Sequence, residues 1–266
     1  MTSNNNPNEN ERMTFWEHVE VFRKILFRCL AIWAICSIVA FCFKEELFYI
    51  IFAPSKSDFV LYRAMCHLAE TTGLLSLCPG EFSISFINTQ LTSQFMTHLS
   101  VSMCAGVIVA MPYLVYKLYG FVSPALYKQE RKYSFVLIFS SFLLFGLGIL
   151  LNYFVIFPFS FRFLSTYQVQ DFVVNQIALS SYTSTFLVLS LLLGIVFEIP
   201  ILAYFLAKLN IIDAQMMKKY RRHAFVVICI LAAIITPTAD IFTLLLVVLP
   251  ISLLYEFSIA IVKQVK

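Results

Sequence analysis

The chain has 266 residues, 60% of them hydrophobic and only 13% charged. Soluble domains average roughly 25% charged residues with under half apolar, so a water-soluble protein is excluded. With 28 Phe and only 7 Gly it is not a low-complexity chain either, and a net charge of +4 carries meaning only through where the basic residues sit.

The first twelve residues are polar and rich in Asn. They lack the basic stretch and short apolar core of a cleaved signal peptide, so residues 1–24 are read as a segment preceding a retained helix. A helix needs about 20 mostly apolar residues to cross a bilayer. The runs 25–43, 96–116, 134–157 and 182–207 meet that length.

The first external loop, 44–95, is long. It opens on an amphipathic stretch from Glu46 to Phe52, closed by Pro54, and later alternates as Phe82-Ser83-Ile84-Ser85-Phe86, a short strand or interfacial segment. It is read as a cap on the first pair of spans. Five of the seven cysteines (Cys29, Cys36, Cys42, Cys104, Cys229) lie in apolar helices, where Cys acts as a small hydrophobe. Cys66 and Cys78 share the external loop and are either a disulfide or two free thiols.

The loop 117–133 carries Glu130, on chemistry alone a solvated charge, and the loop 158–181 is short and polar. Glu198 lies deep in the fourth run, where a charge costs about 2.5–3.5 kcal/mol on insertion scales. It therefore faces protein or water: either a contact for a partner helix or hydrated cavity, or a hydrogen bond inside the bundle. Pro200 beside it frees a backbone carbonyl. The basic run Lys218-Lys219-Tyr220-Arg221-Arg222, in the loop 208–222, is a topology signal and a secondary candidate for anionic-lipid contact.

Two further runs, 223–236 and 241–255, hold 14 and 15 residues. At about 1.5 Å per residue each spans some 22 Å, short of a hydrocarbon core of roughly 30 Å. They form one kinked span or a hairpin of two short helices. Thr236-Pro237-Thr238-Ala239-Asp240, with a helix-stopping Pro and a capping Asp, favours the hairpin. The expectation is an all-α integral membrane protein of six transmembrane helices, the last two short, forming one domain over 25–261 with a tail at 262–266. Fifteen Lys and Arg then fall on the side of the termini against four (Lys44, Lys56, Arg63, Arg162) opposite, which puts both termini in the cytoplasm.

No Cys-x-x-Cys, His-Glu-x-x-His, Gly-x-Ser-x-Gly or phosphate-loop pattern occurs, and the four His are scattered. Neither an enzyme, a cofactor, a metal nor a nucleic-acid partner is expected.

Several segments carry a resemblance. They are Phe15-Trp16-Glu17-His18-Val19-Glu20-Val21-Phe22-Arg23-Lys24, Ala53-Pro54, Pro112-Tyr113 through Phe121, and Ser123-Pro124-Ala125-Leu126-Tyr127-Lys128-Gln129-Glu130-Arg131. Further along come Asn152-Tyr153-Phe154 with Phe157-Pro158, Phe197-Glu198-Ile199-Pro200, Thr236-Pro237 and Asp240-Ile241-Phe242. In this order they resemble TatC, the multispanning receptor subunit of the twin-arginine protein translocase.

The resemblance implies a multi-pass protein of a bacterial cytoplasmic (inner) membrane, homo-oligomeric within a complex and surrounded by membrane lipid. It implies binding of twin-arginine signal peptides at the cytoplasmic face. It also implies recruitment of single-span TatA/TatB-type subunits for export of folded proteins driven by the proton-motive force. Signal-peptide binding would fall to Glu130, Glu20, Arg23, Phe121 and Pro124, with His18 on the same surface. Arginine pairs with carboxylate through two parallel hydrogen bonds that lysine cannot reproduce. Glu198, Thr236 and Asp240 would meet the partner helix.

Two departures stand out. Val21 occupies the family's acidic position, leaving Glu20, about 100° around the helix, or Glu17 to replace it. Leu244 stands where a glutamine is frequent, and two residues rather than one separate Pro237 from Asp240. The rival readings are a secondary transporter with Glu198 as its ion site, opposed by the missing internal repeat, and a scaffold without a ligand.

Overall fold

The structure, a computed structural model, describes residues 15–73, 85–122, 134–168, 170, 175–236 and 240–265. Pro124, Glu130 and Cys78 lie outside the described residues. Among the described residues, five helical stretches are long and apolar enough to cross a membrane: Val19–Cys42, Ser93–Phe121, Phe135–Thr166, Leu179–Lys208 and Ile241–Gln264.

The first stretch belongs to α1 (Phe15–Cys42), which starts ten residues earlier than the apolar run because its first turns continue as an exposed helix. It packs antiparallel on α4 (Ser93–Val122). Rings of Phe22 and Phe121 meet at one end, Trp33 Nε1 donates to the Met103 carbonyl at 3.0 Å midway, and Phe41 stacks on His98 at the other. Gly106 faces Ser37 so closely that any side chain there would collide with the α1 backbone. Small residues at crossings are how membrane helices approach, since lipid supplies no hydrophobic drive between them.

The third stretch is α5 (Ser134–Leu151), a π turn (Asn152–Ile156) and α6 (Phe157–Thr166) in series. The fourth is α7 (Leu179–Val196) and α8 (Ile199–Lys208), broken at Phe197-Glu198. Gly148 lies against α7, where a Cβ would come within 2.8 Å of the Leu193 carbonyl. Leu189 and Leu193 of the fourth stretch and Val247 and Ile251 of the fifth are fully buried in one apolar cluster.

Outside the spans, α2 (Lys44–Phe52), a 3-10 turn holding Pro54 and α3 (Val60–Thr72) fold as a cap; α3 ends at Gly73 with φ of 73°. Of the alternating stretch, Phe82, Ser83 and Ile84 lie outside the described residues, and Phe86 opens the two-residue strand β1 (Phe86–Ile87), paired in parallel with β2 (Ile177–Ala178). The Tyr62 hydroxyl lies 3.0 Å from the Pro158 carbonyl and 3.3 Å from that of Pro54, so one proton ties the cap to the third stretch. The Tyr182 hydroxyl donates to the Ile51 carbonyl at 2.7 Å. Burial pushes the Tyr62 phenol up to about 12, with the Arg162 guanidinium pulling it the other way. Cys29, Cys36, Cys42, Cys104 and Cys229 are free, whereas Cys66 on α3 is disulfide-bonded.

After a short α9 (Ala214–Lys219), α10 (Arg221–Ile235) and α11 (Ile241–Val265) form an antiparallel hairpin, with Arg221 near the start of α10 paired to Glu256 far along α11 at 2.6 Å. The expectation of two short helices holds for α10, at 15 residues, but not for α11, which has 25. Glu256 reads as the end of the apolar run. In the fold it points sideways to Arg221 while the helix continues, burying Ser258, Ile259 and Val262, the last two in one cluster with Ala203 and Ala207 of α8. The tail at 262–266 is accordingly helical as far as Val265.

Gly148→Leu is expected to cost about 1–3 kcal/mol by overpacking, read as a lower thermal midpoint in detergent. Gly146→Leu is the control, since a Cβ at Gly146 meets nothing within 4 Å. At the cap, the folded phenol of Tyr62 keeps its proton above pH 10.0, where an unfolded one loses it. Its contribution is complete below pH 10 and fades as pH rises towards about 12. Tyr62→Phe should flatten that part of the stability–pH curve.

Candidate functional site

The break in the fourth stretch makes the site. Pro200 follows two residues after Glu198, in the first turn of α8, where its missing N–H is tolerated. The carboxyl of Glu198 thus leaves the bundle from a loosened turn and enters a cavity of about 240 Å³ between α4, α5 and α8. Leu118 and Tyr119 of α4, Leu137 and Ile138 of α5, and Ile201, Leu202 and Phe205 of α8 line it, all apolar or aromatic. Ser141 Oγ donates to Glu198 Oε2 at 2.7 Å, while Glu198 Oε1 is buried with no partner among the described residues. The carboxyl is thus half-satisfied within apolar surroundings. The sequence left a hydrogen bond inside the bundle and a contact for a partner helix or hydrated cavity as alternatives; Ser141 supplies the internal hydrogen bond.

Near this cavity lies the end of the bundle that gathers the N-terminal candidates. Ser141 is seven residues into α5, so Glu198 sits roughly 10 Å below that end. There the Phe22–Phe121 ring pair, centroids 5.2 Å apart, holds the start of α1 against the end of α4. Glu20 and Arg23 are exposed on α1 beside it, and Glu20 pairs with Lys24 at 2.9 Å. Thr236 and Asp240 are elsewhere, at the α10–α11 turn. Thr236 donates to the Ala232 carbonyl at 2.9 Å, and Asp240 accepts from the Thr243 backbone N–H at 2.7 Å, capping α11.

Sequence reasoning missed Ser141, one serine among several in an apolar run, because only the crossing of α5 with α7 identifies it. It also missed the pair formed by Asn152, in the π turn, and Ser190 of α7: Asn152 Nδ2 donates to Ser190 Oγ at 2.8 Å in full burial. A π turn widens the helix locally and is frequent at functional positions. Among the described residues no group of three His, Cys, Asp or Glu is placed to hold a metal.

A family model described as "Sec-independent protein translocase protein (TatC)" matches residues 17–250. The Sec-independent protein translocase protein TatC of Blattabacterium sp. subsp. Periplaneta americana is 38% identical over 255 residues, covering 95% of this chain and 96% of that one. That of Carboxydothermus hydrogenoformans is 33% identical over 258 residues, covering 97% and 96%. A crystal structure titled as the twin arginine translocase receptor TatC superposes with a TM-score of 0.75 at 28% identity, covering 94% of this chain and 99% of that one.

Ser141→Ala strips the remaining partner from a buried carboxyl and should cost about 1–3 kcal/mol in thermal unfolding. Adding Glu198→Leu should restore most of it, because the surroundings are apolar. A double variant no more stable than Ser141→Ala would show the carboxyl to be bound by more than Ser141.

Proposed function

Because the chain belongs to the TatC family of Sec-independent protein translocase proteins, transport subunits of bacterial membranes and not enzymes, we propose that it is the signal-peptide receptor of a twin-arginine translocase. It has six spans, α10 being the shortened one and thinning the bilayer around it, with both termini in the cytoplasm, as the basic residues divide fifteen to four. The observation that carries the reading is the Phe22–Phe121 contact. It joins the α1 surface bearing Glu20 and Arg23 to the end of α4, from which the segment with Pro124 and Glu130 departs immediately. Adjacent arginines of a signal peptide pair there with Glu130 and a second acceptor, Glu20 or Glu17, while Phe121 and Pro124 take the neighbouring apolar residues.

Glu198 serves the second step. Its unpartnered oxygen accepts from a polar side chain on the helix of a TatA/TatB-type single-span subunit, which closes the open side of the cavity. Thr236 and Asp240 shape the α10–α11 turn for the same class of partner. Cys66 bonds to Cys78 in the external cap.

The receptor reading is tested by photocrosslinking a twin-arginine signal peptide to the chain in membranes, with a twin-lysine peptide as control. Glu130→Ala should reduce the arginine-dependent crosslinks about tenfold or more, the scale of a charge-assisted hydrogen bond. Equal crosslinking of the lysine peptide would overturn it. Alkylation followed by mass spectrometry, with and without reductant, should show two extra labelled thiols after reduction if Cys66 and Cys78 are paired.

A further inference from the structure

A cavity of about 400 Å³ opens where the external cap meets the third stretch. This is within the range of ligand pockets, about 300–1,000 Å³. The cap contributes Tyr49, Lys56, Asp58 and Arg63 to its lining, and the π turn contributes Tyr153 and Phe154. One side is a cluster of rings. Buried Phe59 lies 5.5 Å from Tyr153 and 5.9 Å from Phe154 between centroids, and Tyr153 and Phe154 meet at 4.9 Å. The Tyr153 hydroxyl donates to the Ile50 carbonyl at 3.1 Å, which ties the span to the cap beside the cavity.

The other side is charged. Arg63 spends Nε and Nη2 on the two oxygens of the Asp58 carboxylate, at 2.7 and 2.8 Å, so that carboxylate is fully taken. Lys56 then has no carboxylate partner among the described residues. Its Nζ lies over the ring of Tyr49 instead, 5.1 Å from the centroid, and both side chains are exposed. A cation–π contact at an exposed site is worth about 0.5–1 kcal/mol, and it leaves the N–H groups of the ammonium able to donate to an anion. The cavity therefore carries one unneutralised positive charge beside an aromatic wall.

We propose that this cavity holds the headgroup phosphate of an anionic phospholipid, with Lys56 donating to the phosphate oxygens and the acyl chains following the third stretch. Depth supports a lipid over a soluble anion. Phe154 lies nineteen residues beyond Phe135, the start of the third stretch, which is roughly 28 Å at about 1.5 Å per residue. That is close to the roughly 30 Å of a hydrocarbon core, so the aromatic wall reaches the interfacial layer, where tyrosines concentrate in membrane proteins. Continuity supports it too. Leu143, Leu147 and Leu150 are exposed at spacings of four and three residues, so they share one face of α5, and exposed Phe154 follows four residues on. An acyl chain laid along that stripe brings its headgroup to the cavity that Lys56 lines. A soluble anion gains nothing from the stripe or the rings. The site requires only that the chain spans a bilayer, and it stands apart from the signal-peptide surface.

The test places the full-length protein in phosphatidylcholine nanodiscs with a trace of phosphatidylglycerol bearing a diazirine in one acyl chain. After illumination, labelled peptides are counted by mass spectrometry. Labelling of residues 143–154, relative to α10, which does not line the cavity, should fall about fivefold in Lys56→Gln. That is the scale of one basic residue at an anionic lipid surface. Lys56→Arg should keep the wild-type ratio. A diacylglycerol carrying the same diazirine chain, which has no phosphate, should show no dependence on Lys56. An unchanged ratio in Lys56→Gln, or a fall that the diacylglycerol shares, overturns the proposal. Loss of the phosphatidylglycerol label on adding millimolar inorganic phosphate overturns it as well and gives the cavity to a soluble anion. Because the Lys56 side chain is exposed, Lys56→Gln should leave the thermal midpoint unchanged, which separates lost binding from lost fold.

Discussion

The crossing of α5 and α7 at Gly148 is the constraint on which the embedded carboxyl depends. Gly148 admits the Leu193 carbonyl, the Gly194 backbone and the Phe197 ring at distances no side chain would allow. Ser141 lies seven residues before Gly148 and so on the same face of α5, two turns away. Glu198 lies four residues beyond Gly194 on the partner helix. Backbones brought together at the glycines thus deliver a serine hydroxyl to a carboxyl two turns along. The energy of the crossing is dispersion between closely packed atoms, since apolar burial gains nothing against lipid.

Buried hydroxyls also hold the external cap. There Tyr62 and Tyr182 reach across more than ninety residues of sequence to the carbonyls of Pro158 and Ile51. The Ile51 carbonyl lies in the last turn of α2, which helix geometry leaves short of a donor. Around them Phe52, Phe86, Phe157 and Phe161 stack edge and face on Tyr182, so the cap is anchored by ring packing with hydroxyl tips as pins. The parallel pairing of Phe86 with Ile177 and Ile87 with Ala178 adds a backbone link between the two external segments. The cap also touches α1 and α4: α2 follows α1 after a single residue, and its Phe48 lies against His98 of α4.

Much of this was legible in the residues, and the reason is period and length. Runs of twenty apolar residues name spans without any tertiary knowledge, and Thr236-Pro237 with Asp240 named a turn whose cap is in place at 2.7 Å. What escaped was anything decided by a crossing. Ser141 is chemically identical to Ser140 beside it, and only the rotation of α5 selects one of them. Glu256 ended the apolar run at the last helix because a lone charge in one dimension looks like a boundary; Arg221, 35 residues away, removes that meaning. The π turn at Asn152 has no composition signal either, since the residues around it are as apolar as those of the regular helix. Glu198 was legible as a demand for a partner, and the structure divides that demand between one oxygen met by Ser141 and one left open.

That division bears on why a charge-bearing residue is kept at such a depth. A carboxyl fully satisfied within the bundle would be replaceable by an apolar side chain with little loss, because buried polar pairs barely repay their desolvation. A carboxyl with neither oxygen satisfied would cost several kcal/mol in hydrocarbon and destabilise the break that carries it. Glu198 occupies the middle: Ser141 fixes its orientation and offsets part of the cost, and the other oxygen has no partner among the described residues. The apolar walls of Leu137, Ile201 and Leu202 strengthen any such bond by excluding water from it. Under the proposed reading, a carboxyl oriented from within and with one oxygen unpartnered is what a membrane-embedded docking point requires.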